Sequence, residues 1–357
     1  MFMPIVFNKP TITTYELEKI METMIAHELA HGKTARKFEE ALSKYIGAKH
    51  CLVTNHGVAA ITLAITAAGV EHGDEIIVPG YMRPAVLTVM KNIGFIPKPV
   101  DIREGTYFID YEKISDAITD KTKAIIIAHT FGVPAPMDEY DFLRERDIVI
   151  IEDITHALGA EYKEKKVGTF GDFAFCSFDG HALISTGSGG AVFCANRNQY
   201  LQMRDLRDYR EKHTPLASYD YAMSDIQAAL GAAQLDVYKN KIIAKRNELA
   251  DFYRTRMKQS KFCRTYDITA DRTVIPSYFP LLIEGNSTAL IDRMAQFKIK
   301  VVRPYPQGIH SFLDLSMQDF PHSERAAKKT VALPLYPRLT TKEAEQVATI
   351  AVKVMYE

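Results

Sequence analysis

Polar side chains that could do chemistry follow a strongly apolar segment in the middle of the chain. Asp153 ends the run Val149-Ile150-Ile151-Glu152, and His156 follows it closely. A carboxylate that leaves a buried strand is costly unless a cation or a hydrogen-bond donor faces it. Asp153 is therefore a candidate to hold the protonated ring nitrogen of a cofactor; its alternative role is to cap the following turn. His156 is a candidate neighbour, with a core or solvated histidine as the alternative.

A short glycine-bearing turn upstream could bind an anion. Asn55-His56-Gly57-Val58 joins an apolar segment to a helical pattern of small residues. Free backbone N–H groups and the helix dipole at such a helix start favour a phosphate. The alternative is a plain strand-to-helix turn, for which one glycine is the usual device.

Two further segments have unusual composition. Gly187-Ser188-Gly189-Gly190 follows Ser177 and precedes an apolar strand pattern. Glycines at this spacing indicate positive-φ turns and close backbone approach, although a simple hairpin is the alternative. Downstream of Asp220, Ser224 begins a helix of small residues, which by itself indicates close helix packing.

These residues need a sheet that holds them at one edge. From residue 51 onward, apolar strand patterns alternate with helical ones, for example at 75–79, 85–93 and 149–153. Continuously apolar strands are typical of buried parallel strands. Their alternation with helices predicts an α/β fold with a mostly parallel sheet sandwiched by helices. In such a sheet, ligands bind at the carboxyl ends of the strands.

The chain is long enough for two domains. Residues 1–240 carry the alternating units of a large cofactor-binding-type α/β domain. Residues 241–357 mix strand patterns, at 277–283 and 300–304, with helical ones, which predicts a smaller α+β domain. A long helical pattern over 224–257 connects the two.

Composition narrows the class of partner. The 357 residues carry 44 Lys+Arg against 44 Asp+Glu, whereas a surface for nucleic acid or anionic membrane needs a basic excess. Four scattered cysteines without a CxxC pattern, and histidines without ligand spacing, predict neither disulfides nor a metal site. The N-terminus lacks a signal-peptide pattern, and the longest apolar stretch, 59–70, is too short to span a membrane. We expect a soluble, cytoplasmic protein.

A series of collinear motifs runs through nearly the whole chain. They include Phe38-Glu39 with Tyr45-Ile46-Gly47, Gly73-Asp74-Glu75-Ile76-Ile77-Val78-Pro79, Glu152-Asp153 with His156-Ala157, Ser177-Phe178, Gly187 with Gly189-Gly190, and Met223-Ser224-Asp225-Ile226-Gln227-Ala228-Ala229. In this order the chain resembles the DegT/DnrJ/EryC1/StrS sugar aminotransferases, pyridoxal-phosphate proteins with the fold-type I aminotransferase fold. The resemblance implies a homodimer with its active site at the subunit interface. It also implies a nucleotide-linked keto sugar as substrate, in the biosynthesis of polysaccharides or glycosylated metabolites.

The resemblance also implies roles for individual residues. Asp153 would pair with the pyridine nitrogen of pyridoxal phosphate, and His156 would lie near the ring hydroxyl. Ser177 would hold the phosphate together with Gly57 and the backbone amide of Val58.

Ala182 stands where the resemblance places the Schiff-base lysine. An alanine has no amine to bond the cofactor or to move a proton between substrate and cofactor. The chain as written should therefore not transaminate. Between Lys166 and Lys239 the sequence holds one further lysine, Lys212, which lies outside the family motif.

Three cofactor-binding positions also depart from the family pattern. Val58 replaces a hydroxyl residue of the phosphate turn. Arg83 stands where an aromatic residue usually stacks on the pyridine. Asp220 replaces the asparagine that usually reaches the phosphate across the dimer, and an aspartate close to a phosphate dianion is repulsive. Binding of pyridoxal phosphate is therefore expected to be weak or absent.

Three hypotheses remain open. In the first, the chain is a sugar aminotransferase whose lysine was replaced to give Ala182. In the second, it is a lysine-free pyridoxal-phosphate dehydratase that uses His181 as the base. In the third, it is a natural non-catalytic homologue that binds a nucleotide sugar or completes the site of a lysine-bearing paralogue in a heterodimer. Arg83, Tyr305 and His310 are candidate sugar contacts, with packing or surface roles as the alternatives.

Overall fold

The computed structural model describes residues 4–27, 29–209, 218–258 and 260–356. Its strands are β1 (His50–Thr54), β2 (Glu75–Pro79), β3 (Ile96–Val100), β4 (Thr122–Ala128), β5 (Val149–Asp153), β6 (Glu161–Tyr162), β7 (Lys165–Lys166), β8 (Phe173–Ser177), β9 (Gly190–Cys194), β10 (Cys263–Arg264), β11 (Arg272–Thr273), β12 (Phe279–Ile283) and β13 (Thr330–Leu333). They form a seven-stranded sheet in the order β1-β9-β8-β5-β4-β2-β3 and two three-stranded sheets, β10-β12-β13 and β11-β6-β7.

Helices connect and cover these strands. They are α1 (Thr14–Ile25), α2 (Lys33–Ile46), α3 (Gly57–Ala67), α4 (Ala85–Ile93), α5 (Tyr111–Ala117), α6 (Arg197–Arg207), α7 (Asp225–Val237), α8 (Ala244–Met257), α9 (Ser287–Gln296), α10 (Pro321–Lys329) and α11 (Thr341–Tyr356). A 3₁₀ segment covers Met137–Arg146, and a π-helical turn, Tyr238–Ile243, joins α7 to α8. The helical pattern predicted over 224–257 is thus one helical stretch interrupted by a π turn.

The large sheet brings several strand ends to one edge. Strands β2, β3, β4, β5 and β8 run parallel, and β9 is antiparallel to both of its neighbours, β8 and β1. Asp153 therefore lies beside Ala128 at the ends of β5 and β4. Thr54 and Ser177 lie on the two sides of Gly190. The carboxyl edge predicted to hold the site thus exists.

The core explains why the patterns fold this way. Strand β4 is buried from Ala124 to Ala128, as its uninterrupted apolar sequence predicts. Helix α3 buries nearly all of its residues and packs on β8 and β9, consistent with a helix that is apolar all round. The predicted ranges 75–79, 85–93 and 149–153 coincide with β2, α4 and β5. The predicted fold-type I architecture, with helices around a mostly parallel sheet, is confirmed by its structural neighbours, reported below.

The C-terminal part is built on the sheet β10-β12-β13, with an apolar cluster shared among α8, α9, α11 and these strands. The strand predicted at 300–304 is wrong. Val302 makes only an isolated bridge to Ala332, and Pro304 has no N–H with which to extend a ladder. The division into domains at residues 240 and 241 stays a prediction.

Three general properties concern the described ranges alone. None of the helices in them is long and apolar enough to cross a membrane. A search of the same residues finds no group of three or more side chains that could hold a metal ion. The four cysteines are buried and unpaired.

Candidate active site

A narrow cavity lies at the carboxyl edge of the large sheet, beside the ends of β4 and β5. Its volume is about 10 Å³, the room of about one water molecule. The residues that line it are Met82, Arg83, Ala128, His129, Thr130, Asp153, Thr155, His156 and Tyr305. Three of the predicted cofactor residues, Arg83, Asp153 and His156, and the candidate sugar contact Tyr305 thus line the same small space.

Asp153 has few partners for a carboxylate in this position. Its Oδ1 accepts a hydrogen bond from the Thr155 backbone N–H at 2.9 Å, so it caps the turn after β5, the alternative role that the sequence offered. Burial raises the pKa of Asp153, and the Thr155 hydrogen bonds and the charge of Arg83 oppose that shift. Burial therefore disfavours the ionised form of the carboxylate, whereas the charge of Arg83 favours it.

His156 is held as a neutral imidazole. Its Nδ1 accepts a hydrogen bond from the Phe131 backbone N–H at 3.3 Å, which places the ring proton on Nε2. Burial lowers the pKa of His156 to about 3, and the positive charge of Arg83 acts in the same direction. The Tyr305 hydroxyl lies 3.3 Å from Nδ1, and the rings of Tyr305 and His156 are parallel with their centroids 6.1 Å apart.

An aromatic cluster fills the space beside His156. Its rings belong to Tyr81, Tyr107, Phe131, Tyr278 and Tyr305, which contact one another or His156. Phe131 reaches it with a positive φ of 60°, and the next residue, Gly132, has φ 90° and no room for a side chain, since a Cβ there would lie 1.6 Å from the Ile275 carbonyl oxygen. These rings come from distant segments, so no local sequence pattern predicts the cluster.

Arg83 forms an ion pair with Asp179 across the site. Arg83 Nη1 lies 2.5 Å from Asp179 Oδ2. The same Oδ2 accepts from the Ser177 hydroxyl at 3.4 Å, and Oδ1 accepts from the His181 backbone N–H at 2.9 Å. Burial acts to raise the pKa of Asp179, but Arg83 outweighs it and holds that pKa below its usual value. Sequence reasoning missed Asp179, although it stands two residues after the strand-end serine.

The predicted phosphate turn is capped by its own side chain. His56 precedes α3, and its Nδ1 accepts the Val58 backbone N–H at 3.1 Å. Gly57 packs against Ser177 so closely that a Cβ on Gly57 would lie 2.6 Å from the Ser177 hydroxyl oxygen. The predicted phosphate residues Gly57, Val58 and Ser177 thus lie together, but the Val58 amide and the Ser177 hydroxyl already donate to groups of the chain.

Ala182 and His181 lie in the loop after β8. The Ala182 backbone N–H donates to the Asp179 carbonyl at 3.1 Å. His181 is exposed, and Asn8 donates from Nδ2 to its carbonyl oxygen at 3.1 Å and lies 3.4 Å from its ring Nδ1. Neither residue lines the cavity beside Asp153. Lys212 is outside the described residues.

The remaining predicted residues lie in different surroundings. Asp220 is exposed, and its carbonyl oxygen accepts from Asn55 Nδ2 at 2.9 Å. Tyr305 lines the small cavity itself. His310 is buried, pairs with Glu324 at 2.8 Å and stacks on Phe320, which fits the packing alternative.

Pyridoxal phosphate needs a partner for its ring nitrogen, donors for its phosphate and space for its ring. Asp153 offers the carboxylate that a ring nitrogen needs. However, the space beside Asp153 has a volume of about 10 Å³ and is lined by Arg83 and Tyr305 among others, which leaves room for about one water molecule. The donors expected at the phosphate are engaged by Asp179 and His56. In this arrangement the residues do not fit the cofactor.

Comparisons with known proteins agree with one another along the chain. The sequence profile of the DegT/DnrJ/EryC1/StrS aminotransferase family matches residues 10–352. GDP-perosamine synthase of Caulobacter vibrioides is 30% identical over 95% of this chain and 95% of its own. Spore coat polysaccharide biosynthesis protein SpsC of Bacillus subtilis is 27% identical over 97% of this chain and 95% of its own.

A solved structure shows the same fold. The PMP form of a Streptococcus pneumoniae protein assigned as a sugar aminotransferase superposes with a TM-score of 0.94 at 25% identity, covering 99% of this chain and 98% of its own. The profile match spans nearly the full sequence. The chain belongs to the DegT/DnrJ/EryC1/StrS aminotransferase family.

Proposed function

We propose that this chain is a non-transaminating member of the sugar aminotransferase family. It acts in the biosynthesis of a polysaccharide or glycoside that contains a nucleotide-linked amino sugar, as the partner subunit of a lysine-bearing relative. The names of the relatives, a GDP-perosamine synthase and a spore coat polysaccharide protein, support the sugar class.

The proposal takes from the resemblance that Ala182 stands at the position of the family's Schiff-base lysine. One observation carries it. Among the described residues that line the cavity of Asp153 and His156 there is no lysine. Proton transfer at a substrate carbon needs a base with a suitable pKa within reach. His156, whose pKa burial lowers to about 3, accepts a backbone N–H instead.

The dehydratase alternative receives no support from His181. Its ring is exposed and lies beside Asn8, and it does not line the cavity of Asp153. A general base must lie within hydrogen-bond reach of the proton it removes. The non-catalytic role is therefore the better-supported function.

An unpartnered helix face supports assembly with a subunit of the same fold. On α1 the side chains Leu17, Met21, Met24 and Ile25 are 52%, 58%, 51% and 73% exposed, whereas Glu16 is buried. The helix thus turns its apolar face outward in the single chain. Exposed apolar patches of this kind mark interaction surfaces, and symmetric or pseudo-symmetric dimers bury the same face twice.

The function is tested by turnover. The purified chain, supplied with pyridoxal phosphate, glutamate and a GDP-linked 4-keto sugar, should form no amino sugar. The Ala182→Lys variant should also form none, because the rest of the site differs from that of an active enzyme. Product from the unaltered chain would overturn the proposal. Product from the variant alone would support instead the hypothesis of an aminotransferase whose lysine was replaced.

The partner role is tested by assembly. Mixed with a lysine-bearing family member from the same genome, the chain should form a mixed dimer, measured by analytical ultracentrifugation. Met21→Glu on the apolar face of α1 should weaken that dimer. Lys19→Gln, which changes the charge of the same helix by the same amount, should not. Dimers of each protein with itself and none between them would show that the partner role is wrong.

A further inference from the structure

We propose that two charged side chains of this protein occupy the site of the cofactor. Arg83 takes the place of the protonated pyridine, and Asp179 takes the place of the phosphate. The protein is then complete without pyridoxal phosphate. The inference rests on the proposed function, because it uses the family's positions for the ring nitrogen and the phosphate.

Asp179 makes the contacts of a bound anion. Its carboxylate accepts from a guanidinium, a hydroxyl and a backbone N–H, which belong to Arg83, Ser177 and His181. This mixture of a cation, a hydroxyl and a main-chain amide is typical of phosphate sites in proteins. Asp179 follows the end of β8 by two residues and contacts the Ser177 hydroxyl, which lies against Gly57 at the start of α3, where the phosphate is expected.

Arg83 supplies the cation that a protonated ring would bring to Asp153. It lines the same cavity as Asp153, and its charge favours the ionised form of that carboxylate. Its guanidinium also pairs with Asp179. One side chain therefore pairs with Asp179 and lines the same cavity as Asp153, where its charge partly offsets the cost of burying the second carboxylate.

The neighbouring side chains complete the closure. Tyr305 lies against His156 and helps to line the space beside Asp153, which is reduced to about 10 Å³. His56 accepts the Val58 amide at the start of α3. A cofactor would have to displace an ion pair and a cap that the chain already makes, and each displaced group would lose its partner.

Pyridoxamine phosphate separates this inference from the missing lysine, because it binds without a bond to lysine. Its binding is measured by calorimetric titration of the unaltered chain and of the double variant Arg83→Ala/Asp179→Ala. The double variant should bind at least about tenfold more tightly, which corresponds to about 1.4 kcal/mol. Equal affinity of the two proteins, or binding by neither, would overturn the inference.

A second ion pair provides the matched control. Arg103 and Glu139 are also 2.5 Å apart, and their exposure, 35% and 29%, is close to the 29% and 33% of Arg83 and Asp179. Neither lines the cavity. The double variant Arg103→Ala/Glu139→Ala should leave affinity for pyridoxamine phosphate unchanged. A gain as large as that of the first double variant would also overturn the inference.

A milder variant tests the anion half alone. Asp179→Ala leaves Arg83 in place and frees the Ser177 hydroxyl and the His181 amide, so it should bind inorganic phosphate at least about tenfold more tightly than the unaltered chain. No gain in phosphate affinity would show that Asp179 does not occupy an anion site. None of these titrations measures turnover, so their failure leaves the proposed function standing. Amino-sugar formation by the unaltered chain would overturn the proposed function, whatever the result of the titrations.

Discussion

Glu152 and Asp153 are neighbours on β5, yet their carboxylates lie on opposite faces of the sheet and differ in surroundings. Glu152 is fully buried and accepts from the backbone N–H groups of Gly168, Phe170 and Gly171 and from the ring of His129, at 2.6–3.0 Å. Asp153 accepts from the Thr155 backbone N–H and otherwise faces the cavity with Arg83.

The difference separates a carboxylate that the fold needs from one that a ligand needs. Each oxygen of Glu152 has two donors, and His129 is fixed in turn because its Nδ1 accepts the Ala135 N–H at 3.0 Å. Nothing is left for a ligand to contribute. Asp153 retains acceptor capacity and a pKa that burial raises, which is the condition of a group whose natural partner is a cation. In this chain the cation that lines the same cavity is Arg83.

The largest expected effect on the free energy of unfolding comes from Glu152, the carboxylate that the fold needs. Glu152→Gln leaves the size of the side chain but removes two acceptor positions from a fully buried network. Because buried donors then lose their partners, the free energy of unfolding should fall by about 3 kcal/mol. Urea denaturation followed by circular dichroism measures the change.

The adjacent substitution Asp153→Asn is the natural control, since it removes the same charge from the same strand. It should change the free energy of unfolding far less. Equal losses for the two variants would show that Asp153 is bonded into the fold in the same way as Glu152, and the distinction between them would fail.

The next effect concerns pH and His156, the histidine that lines the cavity of Asp153. His156 has a pKa of about 3 in the folded chain against 6.5 as the ordinary value. Between these two pH values the unfolded chain binds a proton that the folded chain does not, so stability falls as the pH is lowered through that interval. From pH 6.5 to pH 5 the loss from this group should be about 2 kcal/mol.

His156→Gln isolates that contribution. Glutamine can still accept the Phe131 N–H through its side-chain oxygen, but it does not titrate. The free energy of unfolding of the variant should therefore fall less steeply between pH 6.5 and 5 than that of the unaltered chain. Parallel curves would mean that the pKa of His156 is the same in the folded and the unfolded chain.

Local sequence patterns account for the elements and for the edge at which the site lies. Strands such as β4 and β5 are uninterrupted apolar runs, and Asp153 and Ser177 end their strands, so a sheet edge with polar ends could be predicted. The contents of the site could not. Asp179 and Arg83 are far apart in sequence, and only the sheet order brings them together. The imidazole of His56 caps α3 through a contact that the glycine turn does not indicate.

Local patterns do not contain tertiary contacts, which also explains why the strand predicted at 300–304 does not form and why the covered side of α1 could not be predicted. Residues 300–304 have strand-like composition, but pairing depends on a neighbour with free backbone groups, and Val302 reaches only Ala332. Leu17, Met21 and Ile25 recur at helical spacing, which predicts a helix but not the side that is covered. A single chain leaves them exposed, because what covers an apolar face is decided by assembly and not by periodicity.

The smallest expected effect on the free energy of unfolding comes from the charge of Asp153. Burial raises the folded pKa of Asp153 above its ordinary value of 3.8. Between pH 3.8 and the raised pKa of the folded chain, the folded chain therefore holds more protons than the unfolded chain. The free energy of unfolding falls as the pH rises through this range. At neutral pH the ionised carboxylate is a cost, and Asp153→Asn should raise the free energy of unfolding by about 0.5 kcal/mol. At pH 3, where the carboxyl is protonated in both states, the gain should vanish. A loss at pH 7 would show that the charge of Asp153 is fully compensated by Arg83 and that the acid is as much a part of the fold as Glu152. A stabilisation that persists at pH 3 would show that the gain does not come from the charge of Asp153.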